Sequence, residues 1–262
     1  MDDLGSLIYD KNKDNGKTKS QMSNISGILI GTVNNTYNEK APDRVEVEMP
    51  IGGAGKTVIV WAKLMSISAG NEWGIYYKPE VGDKVILGFH NGNVTKPYIL
   101  GCVYPKSAKM IGECSNSLNS KKKIKTKSGG EISFENKEDK ETITITTKKK
   151  SKIIIDDTDD KISIIGSNGK NLVTIDSKSG KIEITAEKGI SLAAGDTKIS
   201  LEKGGNIDVE CKNFNIKNQA NIKMDANKVE IAGVQVNVKA TAGMKLESSA
   251  TFEAKGTLVK IN

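Results

Sequence analysis

From about Lys127 to Asn262 the sequence is a single pattern repeated: an apolar, a polar and an apolar residue, a short polar gap, then the same again. It reads Ile132-Ser133-Phe134, Ile143-Thr144-Ile145, Ile153-Ile154-Ile155, Ile162-Ser163-Ile164, Val173-Thr174-Ile175 and Ile182-Glu183-Ile184. It continues through Ile190-Ser191-Leu192, Ile199-Ser200-Leu201, Ile207-Asp208-Val209, Phe214-Asn215-Ile216 and Ile222-Lys223-Met224. Val229-Glu230-Ile231, Val236-Asn237-Val238, Met244-Lys245-Leu246, Phe252-Glu253-Ala254 and Val259-Lys260-Ile261 complete it. Successive triplets start about ten residues apart and settle to about seven or eight, and such periodicity marks a stacked repeat architecture. A period of two puts the outer residues of each triplet on one face of a strand and the middle one on the other. The middle residue is polar in every triplet but Ile153-Ile154-Ile155. One face is therefore expected to be buried and the other wet.

Local chemistry agrees. In this stretch Ile far outnumbers Leu, as a pleated surface favours. The gaps carry Gly, Asn, Asp and Lys, which suit tight corners, and no proline follows Pro105 to remove a ladder donor. The expected fold is a β-solenoid. Two buried side chains per strand do not offset the entropy of ordering the residues around them, so the strands must stack. A single chain coiling three strands per rung would give a stub of about 25 Å. Three chains wound round one axis, one strand each per rung, would give a needle of about 75 Å. Repeats of seven or eight residues leave no room for lateral loops, and on that ground the homotrimer is expected.

The remaining sequence differs sharply. All five prolines, both tryptophans and every tyrosine but Tyr9 lie within residues 25–106. Five alternating segments occur there: Gly27–Asn34, Arg44–Met49, Val58–Met65, Lys84–Phe89 and Tyr98–Val103. Separated by Gly, Pro and Asn, they predict a small five-stranded β-barrel of OB type. Gly52-Gly53-Ala54-Gly55 lacks the spacing of a phosphate-binding loop and reads as a hairpin turn. The expected organisation is all-β. It has a polar amino-terminal arm (1–24), the barrel (25–106), a linker (107–126) and an intertwined β-helix (127–262). In the arm, Leu4, Leu7, Ile8 and Tyr9 are the residues available to anchor a partner.

The formal charge is +7, yet among the basic residues only Arg44 is arginine, and lysines alternate with acids along the repeats. That pattern reads as a solvated surface rather than a nucleic-acid footprint. Three cysteines, Cys102, Cys114 and Cys211, share no metal-like spacing and no disulfide framework. Met1 to Ser23 has no apolar signal-peptide core, so synthesis in the cytoplasm without a signal peptide is expected.

Residues 78–89, Lys-Pro-Glu-Val-Gly-Asp-Lys-Val-Ile-Leu-Gly-Phe, resemble a stretch of a known family. It is the Pro-x-Val-Gly-Asp-x-Val-x-Val-x-Phe segment of the baseplate spike OB domain, found in contractile-tailed phages and in VgrG proteins of type VI secretion. Trp61-Ala62 is similar to the family's Trp-Ala element, and Lys96-Pro97-Tyr98-Ile99-Leu100-Gly101 to its closing strand. Residues 124–135 resemble its Lys-Ser-Gly-x-x-Ile-x-Phe lead-in to a triple-stranded β-helix. The resemblance implies a trimeric central spike, assembled into the baseplate of a phage tail, tail-derived bacteriocin or type VI-like apparatus, that pierces the target-cell membrane on firing. It implies a separate hub protein at the amino-terminal end, reached through Leu4, Leu7, Ile8 and Tyr9. A PAAR-like tip protein is implied over Leu258, Val259, Ile261 and Asn262. The hub domain of VgrG proteins and the lysozyme domain of some phage spikes have no counterpart here. A His-x-His iron site cannot form with only His90 present.

No catalytic residues, metal or cofactor are expected. One histidine does not furnish a His-rich metal site or an acyl-transfer triad. The pairs Asp156-Asp157 and Asp159-Asp160 read as solvated corners rather than a glycosidase or calcium site. Two other readings stay open: an OB-type nucleic-acid binder with a solenoid tail, and a monomeric β-solenoid adhesin or polysaccharide enzyme.

Overall fold

Strict alternation of branched apolar and polar residues makes strands of the barrel sequence. The computed structural model describes residues 25, 27–51, 55–138 and 140–261, with the backbone of Tyr9–Asp10. Strand β1 is Tyr9–Asp10, β2 Leu29–Asn35, β3 Arg44–Pro50, β4 Thr57–Leu64, β5 Lys84–Phe89 and β6 Pro97–Val103. β2 pairs with β3 and β5, β3 with β4, and β5 with β6, all antiparallel. β6 returns to β4 in a short parallel pairing, Lys63 with Tyr98 and Leu64 with Ile99, which closes five strands into a barrel. In β3 the inward residues Val45, Val47 and Met49 are buried, and in β4 Val58, Val60 and Ala62. With Val33, Val85, Leu87, Val94 and Ile99 they form the core. The fold is all-β with an OB-type barrel, as the alternation predicts.

Gly31 marks the tightest point of the barrel wall. A Cβ there would lie 2.3 Å from Val47 Cγ1 and 3.0 Å from the Glu48 carbonyl oxygen. Because that oxygen is backbone, it has little room to yield. Gly31→Ala is expected to destabilise the barrel by about 1–3 kcal/mol, read as a lower melting temperature.

The stretch expected to be a linker is structured. It holds a short helix, α1 Lys109–Cys114, and the strand β7 Lys121–Lys125. The helix is only six residues long and has no side-chain cap, so nothing in its sequence announces it.

Beyond it run β8 Glu131–Lys137, β9 Lys140–Thr146, β10 Lys152–Asp156, β11 Lys161–Ile165, β12 Leu172–Asp176 and β13 Lys181–Thr185. Strands β7 to β13 form one sheet in which each pairs antiparallel with the next. Over this stretch the chain stacks directly on itself as a meander instead of winding from face to face. The reason lies in the gaps. Lys150, Asp160, Gly169 and Gly180 all take positive φ, which lets a gap of about four to six residues reverse the chain.

The described residues fall into two compact units, Met1–Ile190 and Ser191–Asn262. The second, taken by itself, contains most of a three-stranded sheet: β14 Gly189–Ala194, β15 Thr197–Glu202 and β16 Ile207–Glu210. From Cys211 to Ile261 no strand forms within the chain. No described residue after Gly205 has positive φ. Among residues 211–261 the backbone bends near Gly233, Gly243 and Gly256 and forms no hydrogen-bonded turn.

Candidate functional site

The strand register gathers the triplets into two apolar columns that cross the β7–β13 sheet at right angles to its strands. One column is Ile124, Ile132, Ile145, Ile153, Ile164, Val173 and Ile184, each directly opposite the next. The other is Phe134, Ile143, Ile155, Ile162, Ile175 and Ile182. Between them, on the opposite face, stand Lys123, Ser133, Thr144, Ile154, Ser163, Thr174 and Glu183. The expected partition of the triplets is thus realised as a continuous seam.

That seam is bare. Ile153 and Ile155 are each 40% exposed and Ile182 is 70% exposed, whereas Val47 in the barrel core is fully buried. Where the seam reaches β12 and β13 it opens into an apolar recess of about 760 Å³, lined by Ile164, Leu172, Val173, Ile184 and Ile190. A soluble chain rarely leaves so long a contiguous apolar surface uncovered unless another surface fits against it. In the second unit Ile199 lies opposite Val209 and Leu201 opposite Ile207, and all four are exposed.

Two contacts tie the sheet to the loop between β4 and β5. The Tyr77 hydroxyl donates a 2.6 Å hydrogen bond to the Lys125 carbonyl oxygen, and Lys127 pairs with Glu80 at 3.5 Å. At the same end Lys123 bridges α1 to the sheet, reaching Glu113 at 2.8 Å and Glu131 at 2.9 Å. Its side chain is only 7% exposed. The hydrogen bonds to Glu113 and Glu131 raise the Lys123 ammonium from its ordinary value to about 12. The hydrogen bond from Lys123 holds the Glu131 carboxyl below the ordinary carboxylate range. A lowered carboxylate supports the fold above its ordinary pKa and loses that support as pH falls through the folded value. A raised ammonium supports it below its ordinary pKa and loses that support as pH rises past the folded value. The bridge is therefore intact from about pH 5 to pH 10. Between about pH 5 and pH 3 the melting temperature should fall more steeply in the native chain than in Lys123→Gln, which lacks the bridge. Parallel slopes would show that the bridge adds no stability.

The residues predicted to meet partners are placed unevenly. Leu4, Leu7 and Ile8 lie outside the described residues, as does Asn262. The backbone of Tyr9 pairs with Ile59, as an added strand on β4. Leu258, Val259 and Ile261 are exposed, in the stretch without strand pairing. The loop between β4 and β5 carries exposed aromatic residues. There Trp73 is 70% and Tyr76 74% exposed, and Ser66 Oγ donates to the Ile75 carbonyl oxygen at 2.5 Å to shape the turn. In sequence these aromatics read as core, as contacts to neighbouring subunits or as base-stacking groups, and the structure sets Trp73 and Tyr76 outside the core.

Among the described residues no group of three or more His, Cys, Asp or Glu is placed to hold a metal ion. Nor, among them, is any helix long and apolar enough to cross a membrane.

No curated protein matches the chain. Residues 29–104 match the family described as the type VI secretion system/phage-baseplate injector OB domain. These bounds begin at the first residue of β2 and end one residue beyond β6, so the match covers the closed barrel. The closed barrel, residues 29–104, is thus similar to an injector OB domain of type VI secretion systems and phage baseplates.

Proposed function

We propose that three copies of the chain close their apolar seams around a common axis, and that the resulting needle punctures the target envelope when the apparatus fires. The observation that carries this reading is the bare seam itself. It is two side chains wide, with the columns on alternate residues about 7 Å apart along each strand. Three sheets, each presenting two side chains per rung, fill a triangular core of that width. The same closure leaves Ser133, Thr144, Ser163, Thr174 and Glu183 facing water.

The stretch from Cys211 to Ile261 supports the reading independently. It keeps the apolar–polar–apolar pattern, has no reversing turn and finds no ladder partner within its own chain. Its backbone donors and acceptors need partners if the stretch is to be ordered, and two other copies supply them. The needle then has two parts: a head where each copy builds its own face, and a tail where the three strands wind together.

The role is mechanical and calls for no catalytic group. Wound chains resist separation because a subunit leaves only by breaking every rung, which raises the barrier to unfolding. A separate hub at the amino-terminal end and a PAAR-like protein over Leu258, Val259 and Ile261 complete the proposal. Light scattering combined with small-angle X-ray scattering tests it. The expected result is a particle of three times the chain's mass with a rod of about 75 Å. A compact monomer would overturn the reading.

A further inference from the structure

In a meander, alternate turns lie on the same lateral edge of the sheet. One edge of β7–β13 carries the turns at 126–130, 147–151 and 166–171. These contain Lys127, Lys148, Lys149, Lys150 and Lys170 and no acidic residue. The opposite edge carries the turns after β8, β10 and β12. There stand Glu138, Asp157, Asp159 and Asp160, with Lys178 as the one described basic residue of those turns. Within the turns the charge is thus divided by edge, while Lys137, Lys140, Lys161 and Lys181 stand at the strand ends of the second edge.

Several of these groups are already engaged within the chain. Lys127 pairs with Glu80, Lys170 with Glu187, and Lys178 Nζ donates to the Thr158 carbonyl oxygen. Lys148, Lys149 and Lys150 on one edge, and Asp157, Asp159 and Asp160 on the other, form no ion pair with any described residue, and all six are exposed. Three uncompensated lysines therefore stand across the sheet from three uncompensated aspartates. They flank the same strand, β10.

We propose that the two edges are complementary docking surfaces for neighbouring copies of this chain. The Lys148–Lys150 turn of one copy seats against Asp157, Asp159 and Asp160 of the next. The inference rests on the three-copy reading above and adds direction and register to it. Copies related by rotation about the ladder axis bring unlike edges together. Copies packed antiparallel along that axis bring like edges together and repel. The lysine turn joins β9 to β10 and the aspartate turn joins β10 to β11, so their heights differ by one strand spacing, about 4.8 Å, within reach of a lysine side chain. A slip of two strands one way would set Lys148–Lys150 against Lys178, and the other way would leave only Glu138 as a described acidic partner. Unlike charges in one register and like charges in the next is how an interface selects its alignment.

Zero-length carbodiimide crosslinking of the native full-length chain tests this directly. Strand β10 spans five residues, which separates the two turns by roughly 17 Å within one copy. A zero-length amide between Lys148–Lys150 and Asp157–Asp160 therefore forms only between copies. Mass spectrometry is expected to find it in the bands of two and three times the chain's mass. A monomer in light scattering would overturn the spike reading along with the edges. A trimer without these crosslinks would overturn the edges alone. As a second measurement, Lys148→Glu/Lys149→Glu/Lys150→Glu and Asp157→Lys/Asp159→Lys/Asp160→Lys are each expected to speed trimer dissociation about tenfold, since several like charges then face each other. The chain carrying both sets restores complementarity and should return to the native rate. If it dissociates as fast as either single set, the edges do not pair.

Discussion

Ile155→Asp is expected to abolish the trimer, whereas Ile154→Asp, one residue away, leaves it assembled. Ile155 stands in a seam column between Ile143 and Ile162. Ile154 stands on the opposite face between Thr144 and Ser163. In the proposed trimer, the first substitution would bring three introduced carboxylates together near the axis. There each unpaired carboxylate costs several kcal/mol to desolvate and repels the other two. The sum exceeds the marginal stability of a typical domain. Light scattering should report a monomer or aggregate for the first variant and three times the chain's mass for the second. The barrel should melt unchanged in both. Equal behaviour of the two variants would contradict the seam as the assembly surface, because the register alone distinguishes them.

Removal of residues 211–262 is expected to leave a trimer of barrels and head sheets while sharply lowering its resistance to detergent. Seven triplets lie beyond Glu210, so the rod should shorten by about 34 Å at one strand spacing each. The head sheets supply their own backbone ladders and need the other copies only to cover the seam. In the proposed trimer the tail obtains its ladders from the other copies, and that winding slows dissociation. Trimers of the shortened chain should come apart in detergent at least about a hundredfold faster than those of the full chain. Undiminished resistance would show that the tail is not wound.

The barrel was legible because its alternation is strict. Arg44–Pro50 places Val45, Val47 and Met49 inward, and any reading by twos recovers that face. The seam was legible for the same reason, since Ile153 and Ile155 must share a face whatever they pair with. What lay next along the ladder was not legible. Lys148-Lys149-Lys150 contains neither glycine nor asparagine, yet Lys150 takes φ 71° and turns the chain back on itself. A side chain can occupy that conformation when the flanking ladder holds it, and the sequence carries no mark of it. Helix α1 was hidden by its shortness, and the Lys123 bridge by the separation of Glu113 and Glu131 along the chain, which packing alone brings together. The charged edges were hidden in another way. Lysine and aspartate alternate along the chain, and only the meander sorts them to opposite sides.

The lack of a reversing turn after Gly205 bears on how such a protein leaves the ribosome. The head sheet is built from contacts between neighbours in sequence, which form early and fast, while the barrel closes through the longer-range β2–β5 and β4–β6 pairings. They precede residues 211–261 in the chain and are complete before those are translated. Those residues then have no strand partner in their own nascent chain, and in the proposed trimer their strand edges stay open until two sister chains arrive. Synthesis of several copies from one message, close together in space, would shorten that exposed interval. The proportion of chains lost to aggregation should therefore rise as translation of the spike is made sparser.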